Sequence, residues 1–332
     1  MYDLMCIPLR VCILFFENFH SYLPLYNIIA ALYIKSTKKS IEIFFFVVYY
    51  IVEEGEFMLY DCHMHTTNSD GVNSVNEMCI SAIEKGMEGI TITDHADMNF
   101  YMERDTLNRI KASISQSQKA REEFSDKLKV FRGVELGEYT YSPQKAREIL
   151  SLDSFDAVLC SVHLVPKAGY SCPYNRIDFT SLSEEELKEY LKFYFDLLSE
   201  TIDSFDFDIL SHIQCPIRYM SAKYKRKTDV MFFKDKISEI LEKIIKRNIA
   251  LEVNTDVYDE DFRVFNLNIE EILSLYKSLG GKLVTLGSDA HSISDIGRNF
   301  EASVDIFKRC GFDKCVYFEN RTKKEYQIKN EG

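Results

Sequence analysis

The sequence predicts an α/β protein in which parallel strands alternate with helices around a barrel. From Met58 onward, short apolar and β-branched runs recur, with long amphipathic patterns between them, which is typical of βα units. The 332-residue length suits one barrel of this kind or two small domains. Nearly every run ends in a His, Asp or Glu, and the active sites of (β/α) barrels collect at the carboxyl ends of their strands.

Seven runs are predicted as strands: MLYDCH (58–63), GITITDH (89–95), KVFRGVE (129–135), DAVLCSVH (156–163), FDILSH (207–212), IALEVNT (249–255) and KLVTLGSDAH (282–291). Helices are predicted between them. Three of these helices begin with a capping pair, a Ser or Asn followed three residues later by Glu: Ser74 with Glu77, Ser183 with Glu186, and Asn268 with Glu271. Gly86 is suited to end the first of them.

Residues 1–57 are predicted to lie outside a single barrel domain at 58–332. They keep neither helical nor strand periodicity for long, and their strongest apolar run, 41–52, is about half the roughly 20 residues that a spanning helix needs. The segment EEGEF at 53–57 back-translates to a purine-rich run just before the Met58 codon, as in a bacterial ribosome-binding site. We therefore expect Met58 to be the true start. A disordered or membrane-surface anchor segment and a genuine N-terminal extension are the alternatives.

Composition limits the partners. The formal net charge is -12, which argues against a general binder of nucleic acid polymers, because Lys and Arg drive that binding. A small phosphorylated substrate in a locally positive site remains compatible with this charge. The nine cysteines include no CxxC pair, so we expect reduced thiols in a cytoplasmic protein without a membrane partner.

Histidines mark the predicted strand ends. Six of the seven stand there, and His20 in the first 57 residues is the exception. One such histidine alone is more often structural, but six at equivalent positions predict a metal site, because imidazole and carboxylate are ligands of Zn, Mn and Fe. His63 and His65 are two apart, so both point to one face of a strand, as do Asp289 and His291. The remaining candidates are Asp70, His95, Glu135, His163 and His212.

These ligands are too many for one ion and predict two or three, with a bridging carboxylate. Asp70 lies in an SDG sequence and is either a turn former or a ligand; we favour a ligand because it follows the His63–His65 pair so closely. Neighbouring divalent ions generate hydroxide at neutral pH and clamp phosphoryl oxygens, so the predicted reaction is hydrolysis of a phosphate ester. The candidate phosphate-binding residues are Arg218, Arg298 and Arg176, each of which has the alternative of a surface arginine.

The quoted motifs resemble a known family. HMHTTNSDG, TDHAD, GVELG, SVH, SHI and GSDAHSISDIGRNF are similar, in this order, to the motifs of the polymerase and histidinol phosphatase (PHP) superfamily, and most similar to its histidinol-phosphatase branch. The resemblance extends from Met58 to about Gly311. It implies the PHP fold, a distorted (β/α)7 TIM-like barrel, and a metal-dependent phosphatase that hydrolyses L-histidinol phosphate in histidine biosynthesis.

The resemblance also implies three metal positions, filled by zinc, manganese or iron. The first would be held by His63, His65, Glu135 and Asp289, the residues through which catalysis would act. Glu135 would bridge to the second, completed by His163 and His212. The third would be held by Asp70, His95 and His291. Arg218 matches the family's phosphate arginine best, and Asn254 matches a position that shapes the pocket.

Other functions remain open on the sequence alone. A phosphoesterase of the same superfamily could act on nucleoside phosphates or short oligonucleotides. A regulatory metal-binding module without catalysis is a second alternative, although the complete ligand set weighs against it. A dinuclear amide hydrolase is a third, but the lysine bridge usual in those barrels has no counterpart here. The segment before the HxH pair and the sequence CPIRY (215–219) depart from the usual family pattern.

Overall fold

The fold was analysed in a computed structural model of the chain. It describes the backbone of 12–15, 27–37 and 40–50, and residues 59–152, 155–224, 226, 228–256 and 269–328. The chain divides into two compact units, Met1–Phe57 and Met58–Gly332. Met58, at the start of the first predicted barrel strand, and the predicted helix cap Asn268 lie outside the described residues.

The first unit contains an antiparallel sheet of three strands, β1 (Cys12–Phe15), β2 (Asn27–Thr37) and β3 (Ser40–Tyr50). β2 pairs with β3 from Asn27↔Tyr50 to Thr37↔Ser40. The sequence indicated no lasting strand period here. The difference arises because β3 is apolar at consecutive positions instead of alternating, while its β-branched and aromatic residues still favour extended backbone. Whether this unit belongs to the native protein stays a prediction.

The second unit is built on seven parallel strands in chain order. They are β4 (Tyr60–Met64), β5 (Gly89–Ile92), β7 (Lys129–Gly137), β8 (Ala157–Ser161), β9 (Ile209–Leu210), β10 (Ala250–Asn254) and β11 (Val284–Gly287). All seven predicted strands are present.

Two backbone hydrogen bonds join the ends of this sheet. The Asp289 N–H donates to the His63 carbonyl at 2.9 Å, and the His65 N–H donates to the Ala290 carbonyl at 2.8 Å. The sheet is therefore nearly closed into a barrel, which confirms the predicted fold class. Its distortions are the two-residue β9 and the extra strand β6 (His95–Asp97), which pairs with β7 and places His95 opposite Glu135.

Eight α-helices are described in this unit: α1 (Val75–Glu84), α2 (Thr106–Glu123), α3 (Pro143–Leu150), α4 (Glu184–Ile202), α5 (Cys215–Ala222), α6 (Lys234–Lys246), α7 (Ile269–Ser278) and α8 (Phe300–Arg309). The capping boxes at Ser74 and Ser183 are both formed, and Gly86 follows α1 with a φ of +71°, the left-handed conformation that glycine favours. Among the described residues, no helix is long and apolar enough to cross a bilayer.

The barrel strands are buried on both faces. β4, β5, β8, β10 and β11 contain no exposed position, as expected for parallel strands covered by helices. A hairpin of β12 (Lys314–Glu319) and β13 (Thr322–Gln327) closes one side, where the Tyr317 ring stacks on Tyr60 at 3.9 Å. The sequence did not predict this hairpin. The rigid, covered barrel fixes the strand ends from which the candidate site is built.

Candidate metal centre

The predicted ligands converge at the carboxyl ends of the barrel strands. His63 lies in β4 and Glu135 in β7, while His163, His212 and Asp289 each follow their strand by two residues. All are buried except His163, which is partly exposed. Because parallel strands end at the same rim of a barrel, residues far apart in the chain meet there.

The first group surrounds His63 and His65. The Nε2 atoms of these two rings lie 3.1 Å apart, and His65 Nε2 lies 3.0 Å from Asp289 Oδ1. Glu135 Oε2 lies 3.5 Å from His63 Nε2 and 3.6 Å from His65 Nε2. Four nitrogen and oxygen atoms from three strands therefore face one another, and they belong to the four residues that the family resemblance implied for the first metal position.

The other oxygen of Glu135 faces a second pair of histidines. Oε1 lies 2.8 Å from His212 Nε2 and 3.2 Å from His163 Nε2. The two oxygens of one carboxylate thus serve two groups of imidazoles, which is the arrangement expected of a bridging ligand.

A third group lies at the more open edge. Asp70 Oδ1 is 3.3 Å from His291 Nε2 and 3.5 Å from His95 Nε2, and His65 also belongs to this cluster. The sequence did not predict that His65 is shared. Asp70 lies in a turn that is closed by a Gly71 N–H···O=C Thr66 hydrogen bond of 3.0 Å, and its carboxylate faces the histidines, so its role as a ligand stays a prediction.

The charges of these groups are strongly coupled. Burial lowers the pKa of His63 and of His163, but the neighbouring carboxylates outweigh it and raise both pKa values well above the ordinary range. Burial raises the pKa of Glu135, yet the surrounding imidazoles bring it well below its usual value. His65 differs, because burial and the nearby imidazolium charges together lower its pKa to about 4.

The donor set fits divalent cations. Glu135 Oε2 is buried and has no hydrogen-bond partner among the residues that the structure describes, although three imidazole nitrogens lie between 2.7 and 3.6 Å from it. Electron-rich atoms that face one another repel unless a proton or a cation lies between them. Imidazole nitrogen and carboxylate oxygen are ligands of Zn, Mn and Fe, so the described residues could hold such ions.

Acidic residues behind the histidines were missed by the sequence reasoning. Glu252 Oε1 lies 2.7 Å from His63 Nδ1, and Asp97 Oδ1 lies 3.3 Å from His163 Nδ1. Carboxylates in this position orient metal-binding imidazoles. Their signal was weak but present, since Asp97 is two residues from His95 and Glu252 is two residues from Asn254, on the same face of its strand.

A cleft of about 550 Å³ opens over the histidines, and Arg218 lines it. This guanidinium is only 5% exposed; its Nη2 lies 3.6 Å from Asp289 Oδ2 and 3.4 Å from Asp256 Oδ2. Asn254 accepts a short hydrogen bond from Arg218 and donates to Asp289 Oδ2 at 3.2 Å. Arg218 is therefore held directly beside the ligand cluster.

The other two arginine candidates lie elsewhere. Arg298 contacts the second oxygen of Asp256 at 3.4 Å, and Arg176 is exposed; neither is among the residues that line the cleft. Arg104, which the sequence analysis did not single out, does line it and donates to Asp97 Oδ2 at 3.1 Å.

A family model decides the classification. The model described as PHP domain matches residues 61–256, more than half of the chain. The chain belongs to the PHP domain family. The match contains β4 to β10, and with them most of the ligands described above.

The matches between this PHP protein and its curated relatives extend over nearly the full lengths of those relatives. The "Probable histidinol-phosphatase" of Clostridium acetobutylicum is 30% identical over 271 residues, covering 80% of this chain and 99% of that protein. The "Histidinol-phosphatase" of Lactococcus lactis subsp. lactis is 27% identical over 272 residues, covering 78% and 93%. A crystal structure of histidinol phosphate phosphatase from Lactococcus lactis subsp. lactis, complexed with zinc, L-histidinol and phosphate, matches with a TM-score of 0.65 and 22% identity, over 80% of this chain and 98% of that one. This last likeness shows the shared fold.

Proposed function

We propose that this PHP protein is a metal-dependent phosphatase that hydrolyses L-histidinol phosphate to L-histidinol and phosphate, and thus serves histidine biosynthesis. The observation that carries the proposal is the convergence of three imidazole–carboxylate groups on one cleft that also holds Arg218. Such a site suits phosphate ester hydrolysis. The choice of substrate is supported by the curated relatives, which match 80% and 78% of this chain over 99% and 93% of their own lengths.

We assign the ligands by the three groups of contacts. His63, His65, Glu135 and Asp289 would hold one ion. Glu135, His163 and His212 would hold a second, and Asp70, His95 and His291 a third. Two or three ions of zinc, manganese or iron fit these donors.

Divalent ions in these positions would supply a hydroxide nucleophile at neutral pH and neutralise charge on the phosphoryl oxygens. The chain's own residues do the rest. Arg218 would bind the phosphate, because its buried guanidinium faces the cleft and can donate in a bidentate manner. Glu135 would keep two groups of imidazoles at a fixed separation. Asn254 would hold the Asp289 carboxylate and the Arg218 guanidinium in place through a hydrogen bond to each.

The setting proposed for this activity is the cytoplasm. All seven cysteines among the described residues are free thiols, and six of them are buried. Unpaired cysteines in this number are typical of a reducing compartment.

Phosphate release from three substrates tests the proposal. The full chain, loaded with zinc or manganese, is assayed with L-histidinol phosphate, a nucleoside monophosphate and a short oligonucleotide, with the His63→Ala variant as control. We expect strong preference for L-histidinol phosphate and loss of release in the variant. Activity confined to the nucleotide substrates would replace the proposal by a nucleotide phosphoesterase. Full metal loading without any release would replace it by a regulatory metal-binding module.

A further inference from the structure

Strand β10 differs from the other barrel strands in what it contributes to the proposed metal centre. Each of the other strands carries a proposed ligand or leads directly to one, whereas β10 carries none. Its residues Glu252 and Asn254 are nevertheless buried, and they contact the proposed ligands His63 and Asp289, respectively. This raises the question of what a buried carboxylate does there, since leaving one unpaired would cost several kcal/mol.

Glu252 accepts from two ligand residues at once. Its Oε1 lies 2.7 Å from His63 Nδ1, and its Oε2 accepts the backbone N–H of His212 at 2.7 Å. His63 and His212 belong to two different groups of the centre. His212 lies two residues beyond β9, so its N–H is outside the strand pairing and needs another acceptor.

The reach of Glu252 depends on a glycine in the next strand. Gly287 pairs with Asn254 in the β10–β11 register. A Cβ atom at Gly287 would collide with the Glu252 carboxylate and come within 2.7 Å of the His63 Cβ. Only a residue without a side chain leaves room for the carboxylate to pass beneath β11 and reach His63.

We propose that Glu252 is a positioning residue, which fixes His63 and His212 together and so couples two of the metal positions. This inference rests on the proposed metal centre. A carboxylate at Nδ1 keeps the proton on that nitrogen and leaves the Nε2 lone pair directed at Glu135 and Asp289. Its second oxygen sets the backbone that carries His212. Gly287 is the residue that makes this contact possible.

Two variants test the Glu252 carboxylate, one by removing its charge and one by changing its position. In Glu252→Gln, only one end of the amide can accept, so the NH₂ group must face either the His63 Nδ1–H or the His212 N–H, and one of the two contacts is lost. In Gly287→Ala, the carboxylate keeps its charge but is displaced, and the His63 Cβ is crowded as well, so Glu252→Gln alone isolates the contribution of the carboxylate. Gly89→Ala is the matched control, because its Cβ would also be crowded, at 2.8 Å from the Tyr60 ring, but at the opposite end of the barrel from the ligands.

The measurement is titration of the metal-free full chain with Co²⁺, following its visible absorption, with circular dichroism to verify the fold. We expect 10- to 100-fold weaker Co²⁺ binding and an altered spectrum in Glu252→Gln and in Gly287→Ala, and binding as in the wild type in Gly89→Ala. If either variant folds and keeps the wild-type affinity and spectrum, the inference is wrong. Because no substrate is used, this result is distinct from a wrong substrate, and failure of the wild type to bind Co²⁺ would instead refute the proposed centre.

Discussion

Replacing Arg218 with alanine should lower kcat/KM for L-histidinol phosphate roughly 30- to 150-fold. Two unit charges about 4 Å apart attract by about 4 kcal/mol at the effective dielectric of a protein site. Part of the Arg218 charge is already opposed by Asp256 and Asp289, at 3.4 and 3.6 Å. We therefore take about 2–3 kcal/mol for the phosphate contact, and this free energy converts to the stated loss of kcat/KM.

Arg298→Ala is the matched control, because Arg298 contacts the other oxygen of Asp256 without lining the cleft. It should lower kcat/KM less than about 3-fold, and Arg176→Ala should do the same. Initial rates of phosphate release give kcat and KM, and atomic emission gives the metal content of each variant. An equal loss in Arg298→Ala and Arg218→Ala, at unchanged metal content, would refute the assignment of Arg218.

Three more perturbations test separate parts of the structure. Glu135→Gln should lose at least one bound ion and slow phosphate release at least about 100-fold, because both carboxylate oxygens face histidines; full metal content by atomic emission would count against the bridge. A protein of residues 58–332 should match the full chain in kcat/KM, and N-terminal sequencing of the native protein should begin at Met58; a native peptide from before Met58 would contradict this. Burial raises the pKa of Asp208 to about 6 even though Arg321 opposes the shift. The folded state therefore holds this proton more tightly than the unfolded state. The free energy of unfolding then falls as the pH rises from about 4 through 6. The wild type should therefore lose more free energy of unfolding between pH 5 and pH 8 than Asp208→Asn does, by roughly 1 kcal/mol. Urea unfolding at the two pH values measures both losses. If the two proteins lose the same free energy of unfolding, Asp208 does not titrate in this range.

The sequence was informative about the ligands because strand ends are local features. The HxH pair at His63 and the DxH pair at Asp289 each lie on one short segment. A period of two applies to His63 in β4, whereas Asp289 lies beyond β11 with a φ of 53°, so the position of the strand end brings the second pair to the site. Their common location then follows from the barrel rim alone. The structure therefore brings together the residues that the family resemblance implied, although His65 and His95 each face more than one of the implied groups.

Contacts between segments that are distant in the chain could not be predicted from local sequence patterns. Glu252 and His63 are 189 positions apart, and nothing in either segment predicts their pairing. The choice between Arg218 and Arg298 depended likewise on which side of Asp256 each one reaches. The strands of residues 1–57 were missed for another reason, since uniformly apolar strands lack the alternation that a periodicity argument requires.

Metal removal should destabilise this barrel, because its ligands lie in strained positions. Asp289 has a φ of 53° and His212 a φ of 20°, and non-glycine residues held in such conformations cost of order 1–3 kcal/mol each. The cluster also buries Glu135 and Asp289 beside imidazoles whose charges depend on their protonation. An ion present at about 100 times its Kd would stabilise the folded state by about 2.7 kcal/mol, which corresponds to a rise in Tm of about 4–5 °C for a chain of this size. Circular dichroism melts of the loaded and the chelator-treated protein measure this difference. An unchanged Tm, after atomic emission has verified that the ions are gone, would show that the barrel holds the strained ligands without help from the metal.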